Sequence, residues 1–211
     1  MMLSRLCACA ALSVSLLLAG CTGMPEKVEP VQGFELNRYL GTWYEIARLD
    51  HSFESGLTDV TATYTLRDDG GVKVINRGYN PETGEWKEAE GKAYFVEEPD
   101  SGYLKVSFFG PFYGAYVIAD LDKDGYQYSL VSGPDTSYLW ILSRKPYLEV
   151  STTQYLEEKA QFLGFDSESL IWVDQQQNMP KPELQPVVEE PQPVVEELEP
   201  VTESTGSAQI Q

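Results

Sequence analysis

From Gly41 onward, apolar and polar residues alternate in short runs broken by turn-forming clusters. Gly41-Thr42-Trp43-Tyr44-Glu45-Ile46-Ala47-Arg48-Leu49-Asp50 opens the first strand, and the later strands wrap back towards it. Val60, Ala62, Tyr64 and Leu66 then share one face of a second strand, with Asp59, Thr61, Thr63 and Thr65 on the other. After a hairpin turn at 68–71, Val72, Val74, Asn76 and Gly78 point inward and Lys73, Ile75 and Arg77 outward. A turn at 80–84 leads to Ala89, Gly91, Ala93 and Phe95 set against Glu88, Glu90, Lys92 and Tyr94. Leu104, Val106 and Phe108 form the next face, which Gly110-Pro111-Phe112 breaks. Three more strands are predicted over 115–121, 126–132 and 138–144, separated by Asp122-Lys123-Asp124-Gly125 and Gly133-Pro134-Asp135. Eight strands with hairpin-like links predict an all-β fold, an eight-stranded antiparallel up-and-down β-barrel. Closure removes the free sheet edges, and the interior takes side chains or one small ligand.

Two helical signals flank this meander. Residues 34–40 read as a short helical turn ending at Gly41. Ser151 and Gln154 are spaced as a capping box, Leu156, Ala160 and Leu163 share one helical face, and Gly164 stops the run. This C-terminal α-helix is expected to pack outside the barrel, followed by a last short strand over 170–173.

The chain ends differ in character from the barrel. Residues 1–20 have one charge, Arg5, and an apolar run too short to span a bilayer, followed by Leu18-Ala19-Gly20-Cys21. That series resembles a bacterial lipobox, so residues 1–20 are expected to be a lipoprotein signal peptide and Cys21 the acylated residue. Thr22 stands where inner-membrane retention signals have Asp, which implies the outer membrane, on its periplasmic face. Residues 21–33 read as a polar linker and 34–176 as the folded domain. Residues 177–211 read as a disordered acidic tail, in which Pro-Val-Val-Glu-Glu occurs at 186–190 and again at 193–197.

Composition narrows the chemistry. A formal net charge of -18 argues against nucleic acid, which needs clustered Lys and Arg. Cys7, Cys9 and Cys21 all precede the domain, which therefore has neither a disulfide nor a thiolate metal site. His51 is the only histidine, so no His-based metal cluster or triad is expected, and it reads as a solvated loop residue. Asp120-x-Asp122-x-Asp124-Gly125 imitates the start of a calcium loop, but Val131 stands where the bidentate Glu is required. Neither a cofactor nor a metal is expected. Glu45 shares the face of Trp43 and is expected to be a buried carboxylate with a Tyr or Arg partner.

Taken together, several motifs over residues 36–175 resemble the lipocalin family, in its bacterial outer-membrane lipoprotein branch. They are Gly41-Thr42-Trp43-Tyr44-Glu45-Ile46-Ala47-Arg48, Asp69-Gly70-Gly71 with Val74-Ile75-Asn76-Arg77-Gly78-Tyr79-Asn80, Glu90-Gly91-Lys92-Ala93-Tyr94-Phe95, Lys105-Val106-Ser107-Phe108-Phe109-Gly110-Pro111, Tyr138-Leu139-Trp140-Ile141-Leu142-Ser143-Arg144, and Gly164-Phe165-Asp166 before Ile171-Trp172-Val173. The resemblance implies a cup-shaped barrel holding a lipid or another apolar molecule. It also implies that Trp43 floors the closed end with Arg144 across it, a cation–π pair. It implies a pocket lined by Tyr64, Asn76, Phe108, Tyr116 and Trp140, with Asn76 and Tyr138 near the open mouth to fix a head group. The expected ligand is a fatty acid or lysophospholipid, bound rather than turned over, in a protein held to the membrane by Cys21. An alternative reading is an envelope tether in which the acidic tail seeks a partner. The oligomeric state is left open, a dimer included.

Overall fold

The computed structural model describes residues 22–180. The leader, Cys21 and residues 181–211 lie outside them. Eight antiparallel strands run in sequence: β1 (Gly41–Arg48), β2 (Thr58–Leu66), β3 (Val72–Asn80), β4 (Glu85–Phe95), β5 (Tyr103–Phe109), β6 (Phe112–Leu121), β7 (Tyr128–Ser132) and β8 (Leu139–Ser143). Each pairs with the next, and β1 pairs with both β8 and β2, which closes the barrel. The loops after β2, β4 and β6 lie at one end with the short helix α1 (Leu36–Tyr39). The loops after β1, β3, β5 and β7 form the other end, the mouth.

Alternation places the predicted apolar faces on one continuous inner wall. Trp43 pairs with Ala62, Ala62 with Asn76 and Asn76 with Ala89, so all four side chains share a face. Phe34, Tyr39, Trp43, Tyr64, Val74, Leu104, Ile118, Val131 and Leu142 form the inner core. The residues between them face outward and build a second core under α2 (Val150–Leu163), where Leu156, Ala160 and Leu163 meet Ala47, Val117, Leu130 and Ile141. Burying each leucine there stabilises by roughly 1.5–3 kcal/mol. Gly164 ends α2 in the left-handed region at φ 95°.

The structure departs from the sequence reading in several places. β4 and β6 start earlier than alternation suggested, and Gly110-Pro111 makes a tight hairpin in which Phe109 and Phe112 pair. Leu66, assigned inward, is 57% exposed because it sits at the last pair before the β2–β3 turn. The capping box does not form: α2 begins at Val150, Glu149 precedes it without a side-chain bond, and Ser151 lies inside the first turn. Leu148, packed on the outer core, sets that entry instead. Nor are residues 22–33 a free linker. Pro25 and Val28 are buried, Val31 donates to the Ile118 carbonyl, Gln32 bridges Ser101, and the Tyr103 hydroxyl donates to the Thr22 carbonyl.

The closed end is held by Arg144. Its Cζ stands 4.0 Å from the ring centre of the fully buried Trp43. Its Nη1 donates to the Thr42 carbonyl at 2.9 Å, and its Nη2 to the carbonyls of Arg38 at 2.7 Å and Leu40 at 2.9 Å. One guanidinium thus ties α1 and the start of β1 to the end of β8. Gly41 permits this: its φ is 96°, and a Cβ there would sit 3.4 Å from Arg144 Nη1. Replacing Arg144 by Ala removes charge-assisted bonds and the indole contact, and is expected to cost about 3 kcal/mol in urea denaturation. Arg144→Lys, with one ammonium for three carbonyls, is expected to recover less than half of that.

Candidate functional site

The barrel interior divides into two halves. Near the closed end, Tyr116 Oη lies 2.8 Å from both Tyr39 Oη and Tyr64 Oη, and Tyr39 Oη also donates to Ser129 Oγ at 3.4 Å. The chain of hydroxyls satisfies itself inside an apolar wall, which is the condition for burying it. Burial pushes the Tyr39 hydroxyl up to about 12 and those of Tyr64 and Tyr116 well above the ordinary value. Only about 10 Å³ stays empty here, bordered by Phe34, Tyr39, Tyr64, Val74, Leu104 and Tyr116. That is room for about one water molecule. Trp43 therefore does not floor an open hollow; Tyr39, packed on it at 4.6 Å, and the hydroxyl chain lie above it.

Towards the mouth the same wall is not filled. Ala62, Asn76, Val106, Phe108, Tyr116 and Trp140 all point inward and are only half-buried. Phe108 lies flat over Gly91, where a Cβ would meet its ring at 2.8 Å. Tyr64 belongs to the packed floor, Tyr116 bridges both halves, and Asn76, Phe108 and Trp140 line the upper half. Tyr138 stands on the rim loop between β7 and β8, half-buried, and does not reach Asn76 through any hydrogen bond.

An ionic cluster that simple alternation hid sits at the inner mouth. Glu45 is inward with Trp43, and a bulge between Glu45 and Ala47 shifts the phase of β1, so Arg48 joins it inside while Ile46 and Ala47 join the outer core. The bulge frees carbonyls that the C-terminal segment satisfies: Val173 N–H donates to Ile46 O at 2.9 Å, and Gln175 Nε2 to Glu45 O at 2.8 Å and Val60 O at 2.9 Å. Arg48, 1% exposed, donates from Nη1 to Glu45 Oε1 at 2.8 Å and from Nη2 to the carbonyls of Glu54 at 3.0 Å and Leu57 at 3.3 Å. Glu54 Oε1 accepts the Trp140 indole N–H at 2.9 Å. Arg48 thus pins the β1–β2 loop over the barrel end, and its Nε–H is buried without a partner.

Two buried carboxyls share this one guanidinium. Burial, then the Glu54 charge, raises Glu45 from 4.5 to about 8 against the pull of Arg48, and burial raises Glu54 too. At neutral pH the pair retains a proton. His51, expected in solvent, is 8% exposed: it stacks on Tyr138 at 4.2 Å and on Phe53 at 5.2 Å. Burial lowers its proton affinity. The rim aromatics Phe53 and Tyr138, drawn from two loops, make that buried slot, which no periodicity in the chain reports.

A calyx closed at one end by a helix and an Arg–Trp plug, half packed and half open, defines a class of small-molecule-binding barrels. The chain belongs to the lipocalin family: residues 34–175 match the family described as the lipocalin-like domain. It is 62% identical over 162 residues to outer membrane lipoprotein Blc of Vibrio cholerae serotype O1, covering 77% of this chain and 95% of that protein. To outer membrane lipoprotein Blc of Escherichia coli (strain K12) it is 53% identical over 168 residues, covering 79% and 94%. Among solved structures, insecticyanin from the tobacco hornworm Manduca sexta aligns with a TM-score of 0.56 at 24% identity, over 72% of this chain and 86% of that one, a likeness of fold alone. With these relatives, the protein is a lipid-anchored protein of the outer membrane.

The raised Glu45 carboxyl has a thermodynamic consequence. Its folded proton affinity exceeds its unfolded one, so the stability it contributes is complete below about pH 4.5 and is lost as pH rises through about 8. His51 has the opposite sign and matters only below its ordinary 6.5. Folding stability is therefore expected to fall by on the order of 1 kcal/mol between pH 7 and pH 9. Glu45→Gln is expected to remove most of that slope, as read by denaturant titration at each pH.

Proposed function

We propose that the upper half of the barrel binds one acyl chain, from a fatty acid or a lysophospholipid, for storage or transport in the envelope. The inward-facing but half-exposed row of Ala62, Val106, Phe108, Tyr116 and Trp140 carries this reading. About ten methylenes buried there supply about 8 kcal/mol at ~0.8 kcal/mol each. Micromolar affinity requires about 8 kcal/mol net, so head-group contacts must offset the cost of ordering the chain. Asn76, Tyr138 and the unpaired Arg48 Nε–H are the polar groups available at that level. The acidic surroundings favour a zwitterionic or neutral head over a strongly anionic one. The protein acts by binding, not by turnover, and acylated Cys21 anchors it on the periplasmic side.

Native mass spectrometry of the purified mature protein is expected to show one co-purified lipid per chain. Titration with palmitate and a lysophospholipid, read by Trp140 fluorescence, is expected to give micromolar binding. Ala62→Trp, which fills the upper half, is expected to weaken it tenfold or more while thermal unfolding changes little. Saturable binding that survives this substitution unchanged would place the ligand elsewhere.

The repeated Pro-Val-Val-Glu-Glu segment supports a second reading, an envelope tether working through the tail. A chain truncated after Met179 is expected to keep its lipid affinity. Loss of localisation or phenotype in that truncation alone favours the tether.

A further inference from the structure

Three phenylalanines stand exposed on the mouth, away from the calyx wall. Phe109 is 81% and Phe112 78% exposed on the β5–β6 hairpin, and Phe53 is 61% exposed on the β1–β2 loop. In the closed strand order these two loops lie on opposite sides of the barrel, so the three rings span the rim rather than forming one spot. The hairpin that bears two of them has no charged residue from Val106 to Ala119. Single exposed apolar residues need no explanation, but a set raised on opposite loops around one opening does.

We propose that this rim docks on the lipid bilayer that holds the protein's own anchor, setting the mouth against the membrane surface. One observation selects a bilayer over another occupant: the protein is lipid-anchored. The barrel is therefore confined beside the bilayer at high effective concentration, where modest contacts suffice. Exposed Asp50 and Asp135 on the neighbouring rim loops are repelled by anionic head groups, so the surface that fits is zwitterionic. Aromatic rings at head-group depth are the usual apolar contact with such a surface. The docking does not depend on what the calyx holds, so it stands or falls apart from the proposed lipid binding.

The test uses the full acylated chain in phosphatidylcholine vesicles. Processing removes Cys7 and Cys9 and acylation blocks Cys21, so an introduced cysteine is the only free thiol. Ser52→Cys beside Phe53, and Lys123→Cys on the far end as a control, each receive a polarity-sensitive fluorophore. The proposal expects nitroxide lipids to quench the label at 52 several-fold more than the label at 123. It also expects Phe109→Ser with Phe112→Ser, on the other loop, to abolish the difference. These side chains are solvent-exposed, and circular dichroism verifies the fold of each variant. Equal quenching at the two positions overturns the proposal. So does protection at 52 that rises with protein density and yields crosslinks between copies, which assigns the rim to a second copy of this chain.

Discussion

A guanidinium with almost no contact with water sets the terms for the mouth of this barrel. A guanidinium carries its positive charge wherever it is placed, and an unpaired charge in an apolar interior is costly enough to unfold a small domain. The chain answers with the Glu45 carboxyl on the same strand and with the backbone carbonyls of Glu54 and Leu57 on the adjoining loop, while the Glu54 carboxyl lies close by and accepts the Trp140 indole N–H. The second carboxyl then creates its own difficulty, a like charge at close range, and a retained proton resolves it. The β1–β2 loop is therefore not merely a connection. Its backbone is a ligand of the buried arginine, and the shape of the mouth depends on that charge being satisfied.

The same strand organises both ends of the calyx by different means. At the closed end Arg144 reaches from β8 to bond three carbonyls and cover Trp43. At the open end β1 parts from β2 after Tyr44, and the short strand β9 (Ile171–Trp172) takes its place beside Ala47 and Arg48. Gln175 closes the gap by donating to carbonyls of both β1 and β2. The segment after α2 thus completes the wall where the barrel would otherwise be split, and ties the helix to the ligand-facing end. Between the two ends, the tyrosine hydroxyl chain separates a packed floor from an open upper half.

The barrel was legible because it depends on period-2 alternation, which a chain states openly. Val72, Val74, Ala93, Leu104 and Val106 all lie where their parity put them, and the pairing of Arg144 with Trp43 is the one the family resemblance implied. The ion cluster was half legible: Glu45 is the buried carboxyl its parity placed on the face of Trp43, with an Arg partner, but Arg48 depends on a change of parity. Counting by twos from Trp43 places Ala47 inside and Arg48 outside; the bulge reverses both. His51 was misread for a related reason. A lone histidine in a polar loop carries no signal of the aromatic slot that receives it, since Tyr138 comes from a loop far along the chain. The failed capping box is a local motif overridden by the packing of Leu148.

Bulges recur in β1, β2, β5 and β6, between Glu45 and Ala47, Thr58 and Thr61, Val106 and Phe109, and Ile118 and Asp120. Those in β1, β2 and β5 lie in the mouth half, where strict alternation matters least to the packed floor and a re-aimed side chain matters most. A perfectly regular β1 would carry Arg48 on the outside, and the lumen would lose its buried arginine. Each inserted residue instead leaves unpaired backbone groups, and in β1 these are met by a glutamine side chain and a neighbouring amide rather than by water. Irregularity in the β1 ladder is thus what brings Arg48 inside the cup beside Glu45. It is tolerated only where a further segment of chain stands ready to complete the hydrogen bonds.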